Sequence, residues 1–242
     1  ALVRSGWDVL AWNLRGCSGT PNRCLRSYHS GATGDLEIVV RHALARGYAA
    51  AALVGFSLGG NLTLKYLGER GADLDPRIRG AVAFSVPVDL ASSARRLARP
   101  ANWHYSRYFL RTLLAKTRAK AERWPDAIEA PGFGEVRTLA AFDDRYTAPL
   151  NGFRDAQDYY RRASSKPLLQ RIAVPTLLVN AANDPFLAPP CYPRALARRH
   201  PCFALEVPRE GGHVGFPPAE ADGTYWSERR AAAFLEDAVR EA

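Results

Sequence analysis

The sequence predicts an α/β fold: a mostly parallel sheet with helices on both faces and a helical insertion. Three observations carry that expectation. Short apolar runs alternate with helix-period segments along most of the chain. The runs are continuously apolar rather than alternating, as strands buried on both faces are. One long segment, 88–168, breaks the alternation and holds no run of that kind.

The elements follow in chain order. WDVLAWNL (7–14) is the first expected strand. Gly34 to Arg46 is the first expected helix, with Thr33 or Asp35 near its cap. YAAAALVGF (48–56) is the second strand. Residues 58–69 place Leu58, Leu62 and Tyr66, and Gly59, Thr63 and Leu67, at helical spacing. IRGAVAFSV (78–86), VPTLLVNA (174–181) and CFALEVP (202–208) are the remaining strands. A helix over Tyr192 to Arg199 separates the last two, and an amphipathic helix over Ser227 to Val239 closes the chain. Strands alternating with helices argue for parallel crossovers. The segment 88–168 carries helical stretches rich in Arg and aromatics, such as ANWHYSRYFLRTLLAKTRAKAERW. The expected organisation is one domain with an insertion. Residues 1–87 form a core part, 88–168 a helical lid, and 169–242 a second core part.

Composition bounds the function. A chain of 242 residues with 47% hydrophobic residues can bury a sizeable core. Its longest apolar run, Tyr48 to Phe56, is too short to span a bilayer. There is no Met, and ALVRSGWDVLAWNLRG reads as a helix end running into a strand, so an N-terminal piece is expected to be missing. The net charge of +9 comes from arginines that are scattered and form no run of five. With no nucleic-acid motif beside them, they read as a solvated surface, and no nucleic-acid partner is expected. Weak contact with a lipid surface is the partner their charge allows. The cysteines at 17, 24, 191 and 202 have no zinc-ligand spacing, so reduced thiols, no metal, no cofactor and a cytoplasmic location are expected. Oligomeric state has no signature here.

The chemistry centres on GFSLGG, residues 55–60. A chain of this composition produces a chance Gly-x-Ser-x-Gly about 0.1 times, so the match alone is moderately specific. Its setting between an apolar strand and a helix is where a nucleophile elbow must be. Glycines flanking so sharp a turn avoid collisions with neighbouring backbone, and the following helix aims its N-terminal amides at a developing oxyanion. The Leu58 amide is the expected first oxyanion donor. A serine needs a base, and the base a carboxylate to fix its tautomer. Downstream, Asp184 in NDPF and His213 in GGHVGF each stand just past a strand's carboxyl end, in the order Ser, Asp, His. Asp184 before Pro185 also fits a simple turn, and His213 a solvated loop. Asp89, after strand 78–86, is the rival acid. His29 and His104 are rival histidines better suited to packing, and His42 and His200 read as helix-face or helix-end residues.

Several stretches together resemble one family. NLRGCSG, YHSG, GFSLGGNLTLKYLGE, FDDRYTAPLNGF, DYYRRASS, NDPF and GGHVGF, spanning Asn13 to Phe216, are similar to the YheT-type branch of the α/β-hydrolases, which includes abhydrolase-domain proteins 1 and 3. The resemblance implies the α/β-hydrolase fold with part of its N-terminal sheet absent. It also implies a serine carboxylic-ester hydrolase for acyl or lipid-like esters. It assigns Ser57 as nucleophile, Asp184 as acid and His213 as base, and marks FDDRYTAPLNGF as a landmark whose Asp143 and Asp144 organise a loop. The chain departs from the pattern at Asn183, where the branch commonly has an aspartate. No His-Gly dipeptide supplies the fold's other oxyanion donor, which is therefore expected upstream of Ala1.

The expected reaction is hydrolysis of a small-molecule ester through an acyl-enzyme. The aromatics Trp103, Tyr105, Tyr108 and Phe109 would line or cap the acyl pocket, or equally pack within the insertion. Two alternatives stay open: a catalytically weak remnant acting as a binding module, and an acyltransferase using the same triad.

Overall fold

A computed structural model describes residues 1–129, 134–217 and 223–240. Four strands form one sheet: β1 (Ala51–Phe56), β2 (Ile78–Phe84), β3 (Thr176–Val179) and β4 (Phe203–Glu206). Their spatial order is β1-β2-β3-β4 and every pair is parallel. The helices in chain order are α1 (Thr33–Leu44), α2 (Leu58–Arg70), α3 (Leu90–Leu97), α4 (Trp103–Arg123), α5 (Leu139–Phe142), α6 (Ala148–Leu150), α7 (Ala156–Ala163), α8 (Arg194–Ala197) and α9 (Trp226–Arg240). A single π-turn, Asp143–Thr147, joins α5 to α6.

The chain divides into two compact units. One comprises Ala1–Ala11, Ser30–Asp89 and Ser164–Ala242; the other comprises Trp12–His29 and Leu90–Ala163. The first holds the sheet. Val82 and Phe84 of β2, Leu177 and Val179 of β3, Phe216, and Ala231 and Leu235 of α9 form its core cluster. All are essentially inaccessible to solvent, and each large side chain of that kind contributes about 1.5–3 kcal/mol relative to exposure. The apolar spacing of α9 turns one stripe onto β2, where Gly80 leaves only van der Waals room for Ala238 and Leu235. On α2, Leu62, Leu64 and Leu67 are buried, and Gly68 lies so close to Leu168 that a Cβ there would be 2.5 Å from its carbonyl oxygen.

The sheet corrects one sequence expectation. WDVLAWNL, residues 7–14, is not a strand. A strand exists only with a ladder partner, and among the described residues none pairs with 7–14. Trp7 instead packs against the core cluster, Asp8 accepts a hydrogen bond from the Tyr48 hydroxyl at 2.9 Å, and Val9 and Leu10 are half exposed. Among the described residues β1 is likewise unpaired on its outer edge, and its residues are half-buried where those of β2 are buried.

The second unit is helical. Residues at helical spacing on α4, Leu110, Leu114 and Ala121, face Ile128, Val136, Phe142 and Tyr146, with Leu25 packed against them. This is why Trp12–His29 belongs with 90–163, whereas the sequence had set 88–168 apart by itself. Lys120 reinforces the attachment: its buried Nζ donates to the carbonyls of Cys24, Leu25 and Arg26 at 3.1, 2.6 and 2.8 Å. Within FDDRYTAPLNGF, Asp143 accepts from the Tyr160 hydroxyl at 2.7 Å, and Asp144 accepts from the Ala156 amide at 3.0 Å, capping α7.

Candidate active site

β1 ends at Phe56, and Leu58 already opens α2. Ser57 alone makes the turn, at φ +51° and ψ −118°, a conformation non-glycine residues rarely adopt. Gly55 makes the turn feasible, since a Cβ there would stand 2.6 Å from the Gly59 carbonyl oxygen and 2.7 Å from Thr63 Oγ1. The expectation that both flanking glycines avoid collisions needs correction. A Cβ at Gly59 would meet nothing within 4 Å, whereas one at Gly60 would be 2.5 Å from Val86 Cγ2. The close approach comes one residue later because α2 turns its second glycine, not its first, toward the end of β2.

Asp184 lies on the loop after β3 and His213 on the loop after β4. His213 Nε2 is 2.8 Å from Ser57 Oγ. His213 Nδ1 is 2.9 Å from Asp184 Oδ2 and 3.2 Å from Oδ1. A carboxylate only accepts, so Nδ1 carries the ring proton and Nε2 is left to accept the Ser57 hydroxyl proton. Asp184 is 2% exposed, and its Oδ1 also accepts from the Phe186 amide at 2.9 Å. The Phe186 ring lies against the His213 imidazole, centroids 4.2 Å apart.

The sequence-predicted residues are thus brought together at Ser57, Asp184 and His213. As the first residue of α2, Leu58 carries one of the amides that have no intrahelical acceptor. The second expected oxyanion donor, placed before Ala1, lies outside the described residues. The rival Asp89 pairs with Lys166 Nζ at 3.3 Å. The rival His29 packs edge-on to Phe153 and Tyr159, and His104 stacks on Tyr105, all within the second unit. His200 accepts from the Cys202 amide at 3.1 Å. Trp103, Tyr105, Tyr108 and Phe109 all lie on α4, the first three exposed. None of the four cysteines, all among the described residues, is in a disulfide. Sequence reasoning missed the roles of Phe186 and of three polar residues that hold the loops, Ser85, Asn180 and Asn183; no spacing rule marks them.

The alpha/beta hydrolase fold family matches residues 1–219. The chain belongs to this family, in its YheT-type branch. YheT of Escherichia coli (strain K12), whose name carries the word esterase, is 37% identical over 219 residues, covering 89% of this chain and 64% of that protein. A mouse protein named phospholipase ABHD3 is 33% identical over 213 residues, covering 87% of this chain and 51% of its own length. The chain therefore spans between half and two thirds of these relatives. The Pyrococcus furiosus esterase Pf2001 superposes with a TM-score of 0.55 at 19% identity, covering 98% of this chain and 73% of that one, a likeness of fold.

Proposed function

We propose that this α/β-hydrolase is a serine carboxylic-ester hydrolase for acyl or lipid-like esters. The observation that carries the proposal is the unbroken hydrogen-bonded series Asp184–His213–Ser57. In this reading Ser57 Oγ attacks the ester carbonyl while His213 Nε2 takes the hydroxyl proton. The tetrahedral oxyanion is met by the Leu58 amide at the head of α2. His213 returns the proton to the departing alkoxide, leaving the acyl group on Ser57. Water then attacks, again deprotonated by His213, and the acid is released. Asp184 holds the tautomer and stabilises the imidazolium. The esterase and phospholipase names of the relatives support the same class of substrate. The test is turnover of p-nitrophenyl esters of graded chain length together with fluorophosphonate labelling. Ser57→Ala is expected to lose roughly 10³-fold or more and to abolish labelling. Equal turnover by the variant would remove the proposal.

A second reading concerns where such substrates are met. From Leu90 to Ala121 the chain carries eight Lys or Arg and no carboxylate. On α4 within this run, Trp103 is 64% and Tyr108 69% exposed. Exposed aromatics among cations suit the headgroup region of an anionic bilayer. The expected result is binding to phosphatidylglycerol-containing vesicles that weakens with salt and is lost in Arg107→Glu/Arg111→Glu; salt-insensitive binding, or none, refutes it.

A further inference from the structure

The segment Phe84-Ser85-Val86, at the end of β2, contributes no member of the proposed triad, yet each of its residues holds a different arm of it. The Phe84 carbonyl accepts from the Ser57 amide at 2.8 Å, extending the β1–β2 ladder into the elbow. Ser85 Oγ accepts from the Val214 amide at 2.9 Å, next to His213. The Val86 amide donates to Asn180 Oδ1 at 2.7 Å, and Asn180 Nδ2 returns a bond to the Val86 carbonyl at 3.2 Å. Asn180 opens the loop that carries Asp184, and its Nδ2 also donates to the Cys191 carbonyl at 2.9 Å. Nucleophile, base and acid are therefore referenced to three consecutive residues.

Ser85 is the unusual member. It is fully buried, and its own amide donates to the Val179 carbonyl at 2.8 Å. It holds φ +53°, a conformation a serine adopts only when its surroundings over-determine it. Val214, which it grips, is at φ +60°, rarer still for a β-branched residue. On the other side of His213, the Gly212 amide donates to Asn183 Oδ1 at 2.8 Å, tying the base loop to the acid loop. Both amides that flank His213 thus end on side-chain oxygens from other loops. The loop's internal bonds, from the Gly215 and Phe216 amides to the Gly211 carbonyl at 3.1 and 2.9 Å, do not engage the two residues that flank His213.

We propose that Ser85 and Asn183 are positioning residues: their side-chain oxygens fix the backbone on either side of His213 and so set Nε2 at bonding distance from Ser57. Neither touches the reacting atoms. The proposal rests on the serine-hydrolase reading above and adds to it the groups that keep the base in register.

The decisive variant is Ser85→Gly. Glycine tolerates φ +53° without strain, so the fold keeps its backbone while the acceptor for Val214 disappears. Ester turnover, fluorophosphonate labelling rate and the thermal midpoint are measured on the whole chain, beside wild type and Ser57→Ala. For Ser85→Gly, kcat and the labelling rate are expected to fall roughly 10- to 100-fold, with KM within about twofold. The thermal midpoint should not fall. Asn183 is exposed, so its hydrogen bond is worth less, and Asn183→Ala is expected to lose roughly 3- to 10-fold in kcat. Asn183→Asp keeps an acceptor oxygen and should restore most of that loss. Turnover and labelling of Ser85→Gly within threefold of wild type would overturn the proposal. So would a loss that tracks a drop in thermal midpoint, or an Asn183→Asp no better than the alanine. A Ser57→Ala protein as active as wild type would instead overturn the reading beneath it, whatever Ser85 does.

Discussion

Replacing Asp184 by Asn changes one oxygen for an amide nitrogen, and the structure says where that nitrogen must go. Oδ1 accepts from the Phe186 amide at 2.9 Å, so the asparagine keeps its carbonyl oxygen there. The NH₂ then occupies the Oδ2 position, 2.9 Å from His213 Nδ1. Two donors cannot face each other, so the imidazole is driven to the tautomer with Nδ1 bare and Nε2 protonated. Nε2–H at 2.8 Å from Ser57 Oγ cannot take the hydroxyl proton. The nucleophile is left unactivated with the geometry almost unchanged. A wrong-tautomer defect of this kind costs about 10⁴ in kcat, or about 5.5 kcal/mol of barrier. The companion Asp89→Asn weakens a partly exposed contact with Lys166, away from His213, and is expected to stay within about threefold of wild type. Side-by-side p-nitrophenyl ester kinetics at saturating substrate give both numbers. An Asp184→Asn enzyme within tenfold of wild type, or a large loss at Asp89, would refute the tautomer argument.

Two further predictions concern the frame. Gly55→Ala puts a Cβ 2.6 Å from the Gly59 carbonyl oxygen, which cannot yield without moving α2, so stability should fall by about 1–3 kcal/mol and turnover with it, read by urea unfolding and ester kinetics. Asp143 is raised by burial to about 6, against the opposing pull of hydrogen bonds from Thr147 and Tyr160. Its folded-state value lies above the unfolded one, so the folded protein holds the proton longer. Stability is therefore lost as pH rises through about 4 to 6, by about 3 kcal/mol in all. Asp143→Asn keeps the oxygen that accepts from Tyr160 and removes the charge. It should be more stable than wild type at pH 8 and equal to it near pH 4, measured by thermal unfolding across that range.

What the sequence reveals depends on whether a feature is local. Four apolar runs became strands, each trimmed at its ends: 48–56 to Ala51–Phe56, and 174–181 to Thr176–Val179. The trimming follows from pairing, because β3 and β4 are in register over four residues only. The run 7–14 has the same apolar character but no strand partner among the described residues, and periodicity does not report pairing. The helix expected over Tyr192 to Arg199 shrinks to α8, preceded by a 3₁₀ turn at Pro189–Cys191. Ser57, Asp184 and His213 were readable because each follows an apolar strand in a characteristic order. Ser85, Asn180 and Asn183 were not. A polar side chain that accepts one backbone amide from a distant loop has no spacing rule, and only the fold brings Ser85 to Val214 across a chain separation of 129 positions.

Strain is distributed just as unevenly. Among the described residues four non-glycine positions have positive φ: Ser57, Ser85, Val214 and Phe216. All four lie in the elbow, at the end of β2 or in the base loop. Conformations of this kind cost of order 1–3 kcal/mol each, and they persist where surrounding contacts leave no alternative. Phe216 is locked by burial in the sheet core. Val214 is 40% exposed, so packing holds it far less than the Ser85 hydrogen bond does. Val214→Gly separates the two effects. Little apolar burial is lost, the strain is released, and glycine's extra unfolded-state entropy takes back about 0.5–1 kcal/mol. Stability is expected to stay level or rise by about 1 kcal/mol in chemical denaturation, while kcat falls several-fold because the residue beside His213 is no longer confined. A variant less stable than wild type by more than about 1 kcal/mol would show that the valine side chain, not the hydrogen bond from its amide, fixes this loop.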